Sequence, residues 1–223
     1  MKVLLVDDHA LLRDGIALVM EREFPGLQLA QAGTLAEART AIERHADIQL
    51  VLLDLSLPDG HGIAELPWLR EAAPAARLVA LSADESIDTI MAAINAGAAG
   101  FIPKSVQSGA MLEALRIVLD GGIYLPSAAL DRRNAPRPDT PNWVVPQALS
   151  PEQIGFSPRQ ADVLRMLVDG KSNKVIGREL EMSESTVKTH LSAIFRKLDA
   201  GSRTQAVVAA ARLGLRLGAD GTR

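Results

Sequence analysis

The chain has no cysteine. Neither a disulfide framework nor a thiolate metal site can be built from it, which fits a reducing compartment. Long apolar runs are missing too. The first, Val3–Val6, stops at Asp7 and Asp8, too short for a signal sequence, and no later run approaches the roughly 20 residues of a membrane span. The expected location is the cytoplasm, with no membrane partner. No internal repeat or long low-complexity tract is visible, so a repeat array is excluded as well.

What is present is globular. With 48% apolar and 23% charged residues over 223 positions, there is material for a real core and room for two ordinary domains. The net charge of −3 hides an asymmetry. Residues 1–122 hold nine Lys/Arg against seventeen Asp/Glu, whereas residues 153–223 hold twelve against seven. A basic segment behind an acidic one predicts that the C-terminal part meets nucleic acid.

Apolar runs at Val3–Val6, Leu27–Ala30, Leu50–Leu53, Leu78–Leu81 and Phe101–Ile102 predict five strands. They are unbroken enough for a sheet covered on both faces. Amphipathic segments alternate with them. Leu12, Ile16, Val19 and Met20 form one helical stripe, and Thr34 with Glu37 reads as a capping box. Further helices are expected over 64–73, 87–96 (ending at Gly97) and 109–119. Five βα units make residues 1–122 an α/β doubly wound domain with a parallel sheet.

Periodicity then fails over 123–153, where Pro126, Pro136, Pro138, Pro141, Pro146 and Pro151 mark an interdomain linker. Trp143, Val144 and Val145 are its apolar island. From 154 to 217 the pattern is helical throughout, over 158–169, 173–181, 184–198 and 203–213, before a tail at 218–223. Ser202 with Gln205 gives the last helix its own capping box. The second domain is therefore all-α, with four helices. In the third, Val187, Leu191, Ile194, Phe195 and Leu198 share one face, while Lys188, Thr189, Ser192 and Arg196 lie on the other. Two helices joined by a short turn, the second with such a polar face, have the layout of a helix-turn-helix. A solvated basic face on an ordinary amphipathic helix would look the same.

In doubly wound sheets ligands bind beyond the carboxyl ends of the strands. Here those ends carry Asp7 and Asp8, then Asp54, then Ser82, then Lys104. One aspartate after a strand more often caps the next helix. Five polar residues at four strand ends point elsewhere. Three converging carboxylates need a cation among them, and oxygen ligands without His or Cys favour Mg²⁺. With Lys104, such an ion would neutralise a phosphoryl group arriving on a carboxylate, and Ser82 would hydrogen-bond it. His9 and His61 are read as polar residues at a helix start and in a loop, with no chemistry.

These residues also carry a family resemblance. Val6-Asp7-Asp8-His9, Asp54 through Gly62 (DLSLPDGHG), Ser82-Ala83 and Gly100-Phe101-Ile102-Pro103-Lys104-Ser105 resemble the signature blocks of response-regulator receivers across residues 1–122. The resemblance implies a flavodoxin-like fold with Asp54 as phosphoacceptor, served by a sensor histidine kinase. It implies Asp8 and Asp54 as Mg²⁺ ligands, Asp7 acting mainly through water, and the Ser56 carbonyl assisting. It makes Lys104 the phosphoryl partner and Ser82 with Phe101 the switch pair. Leu57 stands where Met is usual, Ser82 where Thr is common and Phe101 where Tyr is, so Phe101 can switch only through burial.

The C-terminal blocks Ser157-Pro158-Arg159-Gln160, Gly170 through Ile176, Ser183 through His190 and Lys197-Leu198 with Arg203 resemble the LuxR/GerE helix-turn-helix. Together the two halves are similar to the NarL/FixJ subfamily. That implies a transcription regulator rather than an enzyme, the receiver catalysing only its own phosphorylation and dephosphorylation. By position, Lys188, Thr189 and Ser192 are the candidates for base readout, and Lys174, Asn173, Thr186 and Arg196 those for phosphate contact. The resemblance further implies promoter half-sites bound by a homodimer formed on phosphorylation, through the helix over 203–213, and leaves room for RNA polymerase as a partner.

Two other classes compete. A haloacid-dehalogenase-type phosphatase would place its nucleophile after the first strand with a second Asp two residues on. Asp54 follows the third strand and position 56 is Ser. A DNA-binding protein with an idle receiver is opposed by the complete acidic site, though Phe101 and the long linker leave it open.

Overall fold

The computed structural model describes residues 1–45, 47–126, 129, 150–213 and 215. They fall in two compact units, Met1–Leu119 with Tyr124–Pro126, and Asp120–Ile123 with the residues from Ser127 on. Most of the expected linker, Trp143 included, and the expected tail lie outside the described residues.

The first unit begins β1 (Lys2–Val6), α1 (Ala10–Glu23), β2 (Gln28–Ala32), α2 (Leu35–Arg44) and β3 (Ile48–Asp54). A two-residue pair follows, β4 (Ser56–Leu57) and β5 (Gly60–His61), and then α3 (Gly62–Ala72). It closes with β6 (Arg77–Ser82), α4 (Ile87–Ala96), β7 (Gly100–Pro103) and α5 (Ser108–Leu119). The five long strands form one parallel sheet in the order β2-β1-β3-β6-β7. Successive units therefore wind outward in opposite directions from β1 and β3, which puts the switch point between those two strands.

Side chains alternate across the pleat. Val3, Leu5, Leu50, Leu52, Val79, Leu81 and Ile102 pack with Ile16 and Met20 of α1 and Met111, Leu115 and Val118 of α5. The intervening Leu4, Val51, Leu53, Ala80 and Phe101 are also fully buried. A sheet covered on both faces needs apolar residues at every position, and this is why the strands read as unbroken runs. The edge strand β2 is the exception. Of its residues only Ala32 is buried, and it runs two residues past the apolar run, because ladder pairing continues along Gln31 and Ala32. The other four strands extend one or two residues beyond their runs for the same reason.

The short β4–β5 hairpin has no hydrophobic signature and is not foreseen from the sequence. Its turn residue Asp59 accepts from the Leu35 and Ala36 amides, at 2.9 and 3.0 Å. Thr34 Oγ1 takes the Glu37 amide at 3.1 Å. Three of the four free amides at the start of α2 are thus satisfied, two of them by a residue 24 and 23 positions away in sequence. The return half of the expected capping box goes one residue upstream, Glu37 accepting from Gly33 N. After the hairpin, Gly62 N donates to Leu55 O. A Cβ at Gly62 would lie 2.5 Å from Asp54 O and 2.9 Å from Leu55 Cα. Only glycine lets α3 start this close to the end of β3.

Within the second unit a 3₁₀ turn, Pro151–Ile154, carries a Ser150–Gln153 capping box at the end of what reads as linker. Four α-helices follow, α6 (Pro158–Val168), α7 (Asn173–Glu179), α8 (Glu184–Lys197) and α9 (Arg203–Arg212). Each starts on a serine, Ser157, Ser172, Ser183 and Ser202, whose hydroxyl accepts from the third helical amide. Helix α7 stops two residues before the expected 181. Met182 N bonds back to Gly177 O, and Glu181 takes a left-handed φ of 54°. A Cβ at Gly177 would meet Met182 O at 2.7 Å. The glycine that weakens the helix by up to about 1 kcal/mol lets the following turn close against it.

Gly62→Ala is expected to lower stability by about 1–3 kcal/mol, as overpacking does, despite the better helix propensity of alanine. Urea unfolding measures it. A midpoint equal to or above that of the parent would show that the Asp54–Leu55 backbone yields freely.

Candidate functional site

The carboxyl ends of β1, β3 and β7 bring three of the predicted residues into direct contact. Lys104 Nζ lies 2.6 Å from Asp54 Oδ2 and 2.7 Å from Asp7 Oδ2. Asp7 is fully buried, Asp54 is 1% exposed and the Lys104 side chain 13%. Two carboxylates taken out of water this close to each other repel, and the ammonium between them is what makes the arrangement tolerable. Burial pushes the Asp54 carboxyl above its ordinary pKa, against the pull of Lys104 and of the Ser56 amide. For Lys104 burial works against the charged form, but its bonds to Asp54 and Asp7 outweigh that and raise its pKa.

Backbone contacts fix each member. Asp7 N donates to Ala32 O, Leu55 N to Leu81 O and Lys104 N to Ser82 O. Arg13 Nη1 holds the Asp7 carbonyl at 2.5 Å. Asp8 is partly exposed, and its Oδ1 lies 2.7 Å from His9 Nδ1. One oxygen each from Asp7, Asp8 and Asp54, with a His9 ring nitrogen, all lie within 4.8 Å of one another. His9, to which the sequence assigns no chemistry, is therefore part of the cluster. Its adjacency to Asp7-Asp8 is visible in sequence, but the direction of its ring is not.

This donor set fits a divalent cation. Asp7 Oδ2 is buried and, although beside Lys104, has no aligned hydrogen-bond donor. Ser56 meets the cluster through its amide, which donates to Asp54 Oδ1 at 3.1 Å. The buried Ser82 accepts from Asp84 N at 3.0 Å, leaving its own proton free to turn toward a newcomer. Phe101 is fully buried, its amide donating to Tyr124 O. Beside Lys104 in sequence, Ser105 Oγ donates to Glu85 in the loop after β6.

In the second unit, Val187, Leu191, Ile194 and Leu198 are buried and Phe195 half-buried, while Lys188, Thr189, Ser192 and Arg196 are exposed on α8. The hydroxyls of Thr189 and Ser192 donate to the carbonyls of Ser185 and Lys188 one turn back. In this conformation they offer lone pairs and a methyl group outward rather than protons. Thr186 caps with Ser183 at the start of α8, and Lys174 is exposed on α7. Asn173 is half-buried instead. Its Oδ1 accepts from Arg203 Nη1 at 3.0 Å, and Arg203 Nη2 also reaches the Lys171 carbonyl. Arg203 belongs to the sequence motif, but its tie to Asn173 is a tertiary contact that no spacing rule reveals.

Comparison with known proteins agrees with both halves. Residues 3–116 match the response regulator receiver domain and residues 155–210 the bacterial regulatory proteins of the luxR family. The chain is 36% identical over 210 residues to a glycerol metabolism activator of Pseudomonas putida, covering 94% of each. It is 33% identical to the nitrate/nitrite response regulator protein NarP of Escherichia coli, covering 93% of each. Among solved structures it is similar to a LuxR family DNA-binding response regulator from Silicibacter pomeroyi, at 34% identity and a TM-score of 0.51, over 57% of this chain and 98% of that one. Such proteins regulate transcription in two-component systems, receiving signals from histidine kinases and acting on DNA, and are not metabolic enzymes. With its acidic pocket at the sheet's switch point and its basic helix on a separate unit, this chain belongs to the NarL/FixJ-type response regulators, a receiver joined to a LuxR-type DNA-binding domain.

Proposed function

We propose that Asp54 accepts a phosphoryl group from a sensor histidine kinase and that this controls dimerisation and promoter binding by the second unit. The observation that carries the reading is the Lys104 ammonium held 2.6 Å from Asp54 Oδ2 in a buried pocket at the switch point. A carboxylate oxygen of Asp54 bonds to phosphorus as the bond to the donor nitrogen breaks, and Lys104 stays beside the added charge, roughly −1.5 to −2. Ser82 turns its hydroxyl proton to a phosphoryl oxygen. Asp8, Asp54, the Ser56 carbonyl and, through water, Asp7 would hold Mg²⁺, which when bound neutralises charge on the transferring group. The role of Phe101 in switching rests on its burial, since it has no hydroxyl to move.

The functional division follows as receiver 1–122, linker 123–153, DNA-binding domain 154–217 and tail 218–223. On α8, Lys188, Thr189 and Ser192 read bases, while Arg196, Lys174, Thr186 and the amide of Asn173 contact phosphates. The small residues Ala206, Val207, Ala210 and Ala211 of α9 suit close approach of a second copy, and paired half-sites follow from a two-fold dimer. RNA polymerase is the natural downstream partner of a bound regulator, and the cytoplasm its compartment.

Incubation with acetyl phosphate and Mg²⁺ is expected to add one phosphoryl mass to the parent and none to Asp54→Asn, read by intact mass spectrometry. An adduct of equal yield on the variant would remove Asp54 from its role. On duplexes selected from a random pool, Lys188→Ala is expected to lose about 1–3 kcal/mol of binding and relax the selected sequence. Lys174→Ala is expected instead to weaken all duplexes alike and reduce the salt slope by about 1. Identical behaviour of the two variants would undo the division between readers and phosphate contacts.

A further inference from the structure

We infer that His9 makes the acidic pocket a site for late first-row divalent ions such as Ni²⁺ or Zn²⁺, its Nδ1 adding a nitrogen ligand to the carboxylates of Asp7, Asp8 and Asp54. The inference rests on the reading of this pocket as a cation site and concerns which cations it takes.

His9 is fixed at its root. Its amide donates to Asp7 Oδ1 at 2.9 Å, and its carbonyl accepts from Arg13 N at 3.0 Å as α1 begins. From that anchored backbone the ring folds back over the acids, with Nδ1 2.7 Å from Asp8 Oδ1 and 3.4 Å from Asp7 Oδ1. The residue caps α1 without using its side chain for the cap, so the ring is not held by the helix. Independent of the ring, Asp7 Oδ2 is fully buried in the same cluster and lacks an aligned donor. A cation entering between the carboxylates meets buried Asp7, whose Oδ2 has only the Lys104 ammonium beside it at 2.7 Å, on one side and an imidazole on the other.

The alternative is a surface His–Asp pair. The His9 side chain is 67% exposed and Asp8 35%, and such a pair contributes little. That weakness is what lets a metal replace it. Exchanging the Asp8 contact for an ion, with the ring proton on Nε2 and the Nδ1 lone pair inward, gives up little and supplies a borderline donor. Imidazole gains most with nickel, copper and zinc, and little with Mg²⁺, which keeps its waters and prefers oxygen. The three carboxylates alone serve both classes. His9 therefore sets the preference between them, and among the described residues it is the histidine that joins a cluster of possible ligands.

Calorimetric titration of the full chain with NiCl₂ and with MgCl₂ tests this on the parent, His9→Ala, His9→Asn and Asp8→Ala. Asparagine, a good N-cap, guards against a fold defect at the start of α1. The ratio of Ni²⁺ to Mg²⁺ affinity is expected to fall by about tenfold or more in both His9 variants. An unchanged ratio in both would overturn the role of His9 while leaving the oxygen site intact. Binding of both ions to Asp8→Ala with parental affinity would instead overturn the reading of the pocket, and this inference with it.

Discussion

The Lys104 ammonium between Asp7 and Asp54 is the contact on which the receiver depends. Both acids lie where the sheet is dry, and neither can remain ionised beside the other without a cation. The strands are arranged so that one exists. β1 and β3 are neighbours at the switch point, and β7, two strands further on, delivers Lys104 from the far side of β6. Its amide is pinned to Ser82 O, so the long side chain reaches back over β6 from a fixed base. Everything below this edge, the paired strands and the two apolar faces, holds three charges in register.

A site of this kind is bistable in charge. Its members are paired to one another at rest, and an incoming anion must compete for Lys104 while the carboxylates lose their counter-charge. A cation among the acids resolves that conflict by taking over the role the ammonium leaves. The bond from Ser105 to Glu85 joins the loops leading into α4 and α5, next in sequence to Lys104.

Much of this was legible in the sequence, because burial on both sheet faces leaves unbroken apolar runs and the residues that end them are polar. Val3–Val6 stopping at Asp7, and Leu50–Leu53 stopping at Asp54, declare strand and site together. The Ser202 cap of α9 is equally readable, since capping is local chemistry. The rest was not, for a common reason. The β4–β5 hairpin, the reach of Asp59 to α2, the fold-back of His9 and the grip of Arg203 on Asn173 join residues that periodicity does not relate. Helix α7 was read too long because a left-handed Glu181 has no glycine to announce it; Gly177, four residues earlier, carries the signal.

Arg203 bears on how the DNA-binding unit is held together. Its guanidinium stands at the first turn of α9 and grips both the Asn173 side chain and the Lys171 carbonyl, at the entrance to α7. A planar guanidinium with two prongs fixes direction as well as distance, which apolar contact does not. The start of α9 is thereby tied to the start of α7, the first helix of the helix-turn-helix. Loss of the Arg203 guanidinium would free the entrance of α7 from α9 without touching any residue of the exposed face of α8.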